Sequence, residues 1–301
     1  MINQRMIRGR IKSVKNTRKI TKAMELVAAS KMRRAVYSVL ATRPYAKLSW
    51  DTINAISQVI DVSHHPLLSC RHQASKTLLL LFTSDRGLAG GFNNNMIKKM
   101  EGFIENELSE EIIEVVAIGK RGSDAMRKSG RNLIASFTNL TNHPKFEDIL
   151  PLGRMVINEF IKGTYKEVWI AYTDFASAIS QKPNILKLLP LGKAEDLKDI
   201  GEVGKQNELG IVNKKLIEYT FEPSPFAVLD RLLPRLIETM LYQALLESAA
   251  SEHSARMMSM RNASDAASDM MDRLTFTYNQ ARQAGITREI AEISSGKAAL
   301  E

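Results

Sequence analysis

Both ends of this chain are long stretches without helix-breaking residues. Neither glycine nor proline occurs from Arg10 to Arg43, and neither occurs from Arg235 to Ala284. Because glycine and proline interrupt helices most strongly, both ends predict long helices. Each helix carries an apolar stripe that must be buried against protein, and the nearest partner for one helix is the other. The sequence therefore predicts a rod of paired helices that carries a globular middle.

The composition is that of a globular protein. Of the 301 residues, 44% are hydrophobic and 25% are charged, which favours one large domain or two smaller ones over disorder. The single cysteine, Cys70, excludes an internal disulfide framework, and the N-terminus lacks the features of a secretory signal. No run of about 18 apolar residues occurs. We therefore expect no membrane span and a reducing compartment.

The positive charge of the chain is concentrated at its N-terminus. Residues 1–34 contain eleven basic side chains against one acid, Glu25, so this segment carries +10 while the whole chain carries +9. The basic residues are Arg5, Arg8, Arg10, Lys12, Lys15, Arg18, Lys19, Lys22, Lys31, Arg33 and Arg34. A basic block is often only a solvated face, but these cations surround a helix that also has an apolar stripe. This pattern favours acidic partners: nucleic acid, anionic lipid or protein carboxylates.

Apolar and small residues recur along the N-terminal helix at steps of three and four. They are Ile7, Ile11, Val14, Thr21, Met24, Ala28, Met32, Ala35 and Val39, with a break at Arg18. This spacing is typical of a coiled-coil seam. Pro44 ends or kinks the helix, but the apolar spacing continues beyond it. We expect a kinked helix within residues 1–60, about 55 residues and about 80 Å long.

The C-terminal helix is predicted within residues 225–301, with Ser224 as its N-cap and Pro225 in its first turn. Its seam runs through Leu229, Leu233, Leu236, Met240 and Ala244. Beyond Ser248 the helix becomes rich in alanine, serine and methionine, including Met257, Met258, Met260, Met270 and Met271. Methionine is adaptable, so this part is either flexible core or a surface that repacks against several partners. We expect it to continue past Gly285 to about Ser294, about 105 Å in length.

In the middle of the chain, residues 75–220, the apolar residues follow a different spacing. Strands are predicted at 77–82 (TLLLLF), 114–118, 132–137 and 167–172, because these runs are continuously apolar or rich in β-formers. Helices are predicted between them at 94–107, 121–128 and 147–162. Alternating strands and helices indicate an α/β layer with right-handed crossovers. The charged segment 192–213 is expected to be an exposed excursion.

Motifs for chemistry are weak throughout. The loop SDRGLAGGFN, residues 84–93, follows the first strand but matches neither GxGxxG nor GxxxxGK[ST], so we interpret it as a strand-to-helix turn rather than a nucleotide site. The segment SSGKA near the C-terminus is a still weaker candidate for a nucleotide site. His64, His65, Cys70 and His72 lie close in sequence, but their spacing matches no standard zinc pattern. We predict no catalytic residue, no metal and no cofactor.

Three parts of the sequence resemble the gamma subunits of rotary, F-type ATP synthases. The first is IRGRIKSVKNTRKITKAMELVAASKMRRA at 7–35, and the second is the loop SDRGLAGGFN. The third comprises ESAASEHSARMMSMRNASDAASDMMDRL and YNQARQAGITREIAEISSGKAAL near the C-terminus. The resemblance spans the whole chain. It implies a fold class of α/β plus a long antiparallel coiled coil, in which two long terminal helices flank a Rossmann-like α/β domain.

The resemblance also implies a function. In that family the chain is a central-stalk rotor subunit, which couples rotation of an ion-driven membrane ring to conformational changes at catalytic sites that make or hydrolyse ATP. The implied partners are the alpha and beta subunits of a hexameric head, an epsilon subunit and the membrane c-ring. The chain itself would catalyse nothing. It would be a peripheral protein on the cytoplasmic side of a bacterial cell membrane, held there only through its partners.

The family's coupling positions fall on Met24, within ITKAMELVA, and on Arg282, Gln283, Thr287 and Glu289, within ARQAGITRE. Lys22, Arg33 and Arg34 are further candidates for contacts with acidic loops of the catalytic subunits. Met24 is alternatively an ordinary seam residue. The sequence departs from many members at Ala89, where they have cysteine, and the lone Cys70 implies no thiol regulation.

Two other classes of function remain as alternatives. The basic N-terminal segment also fits a nucleic-acid-binding helical hairpin, although its first 34 residues contain no aromatic side chain on which bases could stack. The middle domain also fits a nucleotide-binding enzyme. That hypothesis requires ATP turnover by the isolated chain.

Overall fold

The computed structural model describes residues 4–57, 65–69, 74–109, 111–142, 144–191, 222 and 224–300. The chain divides into two compact units. The helical-pair unit comprises Met1–Ala28 and Met257–Glu301, and the sheet unit comprises Ala29–Arg256. The elements are α1 Gln4–Ser57, β1 Lys76–Phe82, α2 Phe92–Glu107, β2 Ile112–Ile118, α3 Lys120–Lys128, β3 Asn132–Phe137, α4 Phe146–Ile161, β4 Tyr165–Phe175, β5 Gln181–Leu189 and α5 Pro225–Leu300.

The two long helices predicted from the termini are confirmed. Helix α1 continues through Pro44, and α5 has 76 residues, which is longer at its C-terminal end than expected. The Ser224 hydroxyl oxygen accepts a hydrogen bond from the Ala227 amide at 3.2 Å, as an N-cap does. In the described part of the chain, no helix combines the length and hydropathy that a membrane span requires.

The sheet of the sheet unit has the strand order β3-β2-β1-β4-β5. The first four strands are parallel, as the alternation of strands and helices predicts, whereas β5 runs antiparallel to β4. Strand β5 was not predicted from the sequence, because Pro183 interrupts the pattern of a strand. Proline is tolerated there because β5 is an edge strand, and Pro183 pairs with Thr173 near the end of the ladder.

Helices cover both faces of this sheet. On one face, Leu79 and Leu81 of β1 pack with Met96 and Met100 of α2. On the other face, the alternate residues of β1 belong to a larger core. That core also contains residues of α5 and of α4, including Phe160 of α4. This two-sided burial explains why β1 is a continuous apolar run rather than an alternating one.

The apolar seam of α5 from Leu229 to Ala244 packs in that larger core, together with the sheet and α4. The prediction that this stripe would be buried against the other terminal helix is therefore wrong for this part of α5. Within the sheet unit, different α5 residues contact α1: Ala250 clusters with Ala35, and Gln243 Oε1 accepts a hydrogen bond from Thr42 Oγ1 at 2.5 Å. Helix α5 thus has two buried sides here.

The helical-pair unit joins the start of α1 to the end of α5. Thr21 Oγ1 lies 2.7 Å from Ser264 Oγ, and Gln4 Nε2 donates to the Ala281 carbonyl at 3.1 Å. The interval from residue 4 to 21 equals the interval from 264 to 281, so both contacts fit one antiparallel register. A Cβ on Gly285 would lie 2.9 Å from Gln4 Nε2, the end of a flexible side chain, so a larger residue there would require only a shift of Gln4.

Burial follows a seven-residue repeat in this unit. Ile7, Thr21 and Ala28 of α1 are buried, and Met260, Ser264 and Ala267 of α5 are buried. The half-buried positions Met271, Leu274, Tyr278 and Ala281 continue the same steps of four and three. This is the expected coiled-coil seam. The methionines of α5 do not form one stripe, because Met260 is buried whereas Met270 is 53% exposed.

Candidate functional site

The outer surface of α1 in the helical-pair unit is strongly basic. The exposed cations are Arg5, Arg8, Arg10, Lys12, Lys15, Arg18, Lys19 and Lys22. Because the seam occupies one side of the helix, these side chains lie on its remaining circumference. Lys22 pairs with Glu25 at 2.9 Å, but the lysine is 58% exposed, so this ion pair contributes little stability. The surface therefore keeps a large positive charge for a partner.

The structure places the predicted coupling residues in separate groups. Met24 is half-buried and Lys22 is exposed on α1, whereas Arg282, Gln283, Thr287 and Glu289 are exposed near the end of α5. Ser264 lies opposite Thr21, and Arg282 lies eighteen residues farther along α5, which corresponds to about 27 Å of helix. Arg33 and Arg34 are exposed on the part of α1 in the sheet unit. These residues do not form a single cluster.

One polar contact lies inside the seam close to Met24. The Thr21 hydroxyl donates to the Arg18 carbonyl at 3.1 Å, so its oxygen is available to accept from the Ser264 hydroxyl. Both side chains are buried, Thr21 with 9% and Ser264 with 5% of its surface exposed. A buried hydroxyl needs such a partner because leaving it unpaired costs free energy.

Replacing Thr21 with valine is expected to lower the free energy of unfolding of the helical pair by about 1–3 kcal/mol, because the buried Ser264 hydroxyl loses its partner. Adding Ser264→Ala should restore most of that loss, since no polar group then remains unpaired. Urea unfolding followed by far-UV circular dichroism measures both. Equal instability of the single and double variants would contradict the importance of the contact.

The polar groups of the glycine loop that follows β1 form hydrogen bonds within the protein. Asn93 Oδ1 accepts from the Ser84 amide at 2.9 Å, and the Ser84 hydroxyl donates to the Arg86 carbonyl at 2.7 Å. The Asp85 carboxylate accepts from the amides of Lys120 and Asn139. Gly90 has φ +56°, the left-handed conformation that glycine adopts readily. These contacts favour the interpretation as a strand-to-helix turn.

The residue that fixes this loop to α5 was not predicted from the sequence. Arg256 donates to the carbonyls of Arg86 and Gly87 at 3.2 and 3.3 Å and to Glu252 Oε1 at 2.7 Å. A glutamate and an arginine four residues apart on a helix usually form a solvated surface pair, so the sequence gives no signal of burial. Here burial raises the pKa of the Glu252 carboxyl, and the charge of Arg256 partly offsets that effect.

The metal hypothesis at the histidine cluster concerns mostly residues outside the described part of the chain, namely His64, Cys70 and His72. His65 is described and buried. Its Nδ1 accepts from the Leu67 amide at 3.2 Å, so its Nε2 carries the proton and donates to Asp230 Oδ1 at 3.0 Å. Within the described residues, no three histidine, cysteine or acidic side chains are grouped as a metal site requires.

The predicted excursion at 192–213 also lies outside the described residues.

Comparison with known proteins identifies the family. The family model for ATP synthase matches residues 3–300. The ATP synthase gamma chain of Roseiflexus sp. (strain RS-1) is 43% identical over 302 residues, which cover 100% of this chain and 99% of the relative. The chain belongs to the ATP synthase gamma-chain family. The gamma chain of Pelotomaculum thermopropionicum is 41% identical, with 100% of both chains covered.

Solved structures show the same fold. A chain from the Euglena gracilis mitochondrial ATP synthase (OSCP/F1/c-ring, rotational state 3) superposes with a TM-score of 0.66 at 21% identity, covering 99% of this chain and 94% of that chain. A chain of the Tetrahymena thermophila mitochondrial ATP synthase, from its central stalk and c-ring, gives a TM-score of 0.58 at 24% identity, covering 81% and 99%. The fold of this chain is therefore that of the matched chains of these two synthases. As a member of the gamma-chain family, the chain is a subunit of ATP synthase.

Proposed function

We propose that this gamma chain is the rotor of an ATP synthase, which couples rotation of a membrane ion-driven ring to conformational changes at the catalytic sites. The observation that carries the proposal is the helical pair, which has a closed seam inside and cations on the outside of α1. A surface of this kind contacts acidic loops in turn as it rotates. The rotor angle then biases which catalytic site is open, because each site meets different contacts.

The proposed partners are the alpha and beta subunits of the head, the epsilon subunit and the membrane c-ring. Two solved relatives support this assembly, since one is described with F1 and a c-ring and the other with a central stalk and c-ring. Attachment to those partners would hold the chain at the cytoplasmic side of a bacterial membrane. Under this proposal the catalytic residues belong to other subunits, and the isolated chain shows no saturable ATP hydrolysis.

The proposal is tested by supplying the full chain to an ATP synthase whose own gamma chain has been deleted. We expect it to co-purify with the alpha and beta subunits and to restore ATP-driven ion pumping in membrane vesicles. With the head fixed and a bead attached to the chain, ATP should drive continuous rotation of the bead. Assembly with ATP hydrolysis but a stationary bead would overturn the proposal, and so would ATP turnover by the chain alone.

Met24→Lys is expected to leave assembly largely intact but to lower the number of ions pumped per ATP. The added ammonium would form hydrogen bonds to acidic loops at some rotor angles. A hydrogen bond to a charged group contributes about 1.5–3 kcal/mol, which changes the population of one angle by about tenfold or more. Pumping and hydrolysis are measured in the same vesicles. Met24→Leu is the matched control, and an unchanged ratio in Met24→Lys would count against a coupling role.

The remaining coupling residues are part of the same proposal. Arg282, Gln283, Thr287 and Glu289 are exposed on α5, and Thr287 donates a hydrogen bond to the Gln283 carbonyl at 3.0 Å within that helix. Their side chains are therefore available to contact the head. Lys22, Arg33 and Arg34 are proposed to contact acidic loops from α1, because all three are exposed cations.

A further inference from the structure

The sheet unit contains a cationic cleft that shares only Arg34 with the proposed coupling residues. The cleft has a volume of about 220 Å³, and its polar lining comes from Lys31, Arg34, Ser38, Asn142, Lys145 and His253. These residues lie on α1, on the segment between β3 and α4, and on α5. Three separate parts of the chain therefore converge on one polar space.

The charge of the cationic cleft is unbalanced. Three of its lining side chains, Lys31, Arg34 and Lys145, are basic, and none of the described residues that line it is acidic. Lys31 donates a hydrogen bond to Asn142 Oδ1, which holds its ammonium group beside the cleft. Burial lowers the pKa of Lys31, and the positive charges of Arg86, Arg256 and Arg34 lower it further, although Glu252 opposes them. An anion in the cleft would relieve this repulsion.

We propose that the cationic cleft binds a small phosphate anion, either orthophosphate or pyrophosphate. Arginine presents a planar set of donors that matches phosphate oxygens, and lysine adds a compact positive charge. Sites for larger organic ligands are usually about 300–1,000 Å³, so a cleft of about 220 Å³ fits one or two phosphoryl groups rather than a whole nucleotide. This inference does not depend on the coupling proposal.

The test is isothermal titration calorimetry of the full chain in a buffer free of phosphate and sulfate. Orthophosphate, pyrophosphate, ATP and a glutamate-rich peptide are titrated separately. We expect saturable binding of orthophosphate or pyrophosphate that weakens as salt is raised. Lys31→Gln and Lys145→Gln should each weaken binding by about tenfold, because each removes a charge-assisted hydrogen bond. Lys128→Gln removes an equal charge from an exposed position on α3 and should leave binding unchanged.

Several outcomes would overturn the proposal. They are the absence of saturable binding, equal weakening in Lys128→Gln, tighter binding of ATP than of pyrophosphate, and tighter binding of the acidic peptide than of either phosphate. Circular dichroism checks that each variant is folded, and Lys145→Gln decides the result if Lys31→Gln does not fold. Arg34 is left unchanged because it is a proposed coupling residue. Failure of this test leaves the rotation assay unaffected, so the two proposals are judged separately.

Discussion

Arg256→Ala is expected to lower the free energy of unfolding of the sheet unit by about 3–5 kcal/mol. The arginine side chain is 11% exposed and its partner Glu252 is 5% exposed. Removing the arginine leaves a buried carboxylate without its partner cation and also removes the donor to the Arg86 and Gly87 carbonyls. The cost arises mainly from the stranded charge, because an unpaired buried ion is far less stable than a paired one. Urea unfolding followed by tryptophan fluorescence measures the effect.

Two comparisons isolate that cause. Adding Glu252→Gln to Arg256→Ala should recover much of the lost stability, because the stranded group is then neutral. Arg261→Ala, an exposed arginine on the same helix, should change stability by no more than about 0.5 kcal/mol. If the double variant is as unstable as Arg256→Ala, the loss comes from the loop contacts rather than from Glu252.

The instability of Arg256→Ala should also depend on pH. Burial raises the pKa of Glu252 above its usual 4.5, and loss of the arginine removes a group that lowers that pKa. For a group whose pKa is raised by folding, stability is greatest below the unfolded pKa and falls as pH rises through the folded pKa. The difference between Arg256→Ala and the unmodified chain should therefore shrink as the pH is lowered from 7 towards 4.5.

The second large effect is expected for Phe160→Ala, which should cost about 3–5 kcal/mol. Phe160 is 0% exposed and belongs to the core between the sheet, α4 and α5. Aromatic side chains bury a large apolar area, and alanine leaves a cavity that the close-packed surroundings fill only in part. The midpoint of urea unfolding should fall with little change in its slope.

Phe276→Ala is the matched control, because Phe276 is 72% exposed on α5. Its expected effect is within about 0.5 kcal/mol. A small loss for Phe160→Ala, close to that of the control, would contradict the assignment of Phe160 to a packed core. The same comparison tests whether α4 and α5 share one core with the sheet, since Phe160 contributes to that cluster.

Much of this fold was predictable because its elements have strong local patterns. The apolar run of β1 and the seam positions Ile7, Thr21 and Ala28 are defined by spacing alone, and their burial follows that spacing. The edge strand β5 was not predictable, because an edge position tolerates Pro183 and its neighbouring lysines. The direction of the Leu229 stripe of α5 was also not predictable, since spacing shows which residues are buried but not what covers them.

The candidate site was less predictable than the fold. The basic surface of α1 follows from composition, whereas Arg256 has the sequence context of an ordinary surface cation. Its burial depends on the glycine loop and on α5, which are about 170 residues apart in the chain. The cationic cleft likewise draws Lys31, Lys145 and His253 from distant segments. Long-range convergence of this kind leaves no local pattern.

The seven-residue repeat of the helical pair has a mechanical consequence. A heptad seam favours left-handed winding of two helices around each other, because 3.5 residues per turn is slightly less than the natural period of a helix. Torque in one direction would wind such a coiled coil more tightly, and torque in the opposite direction would unwind it. The polar Thr21–Ser264 contact inside the coiled coil resists sliding of one helix past the other. If the chain rotates as proposed, the elastic twist stored in this part of it should therefore differ between the two directions of rotation.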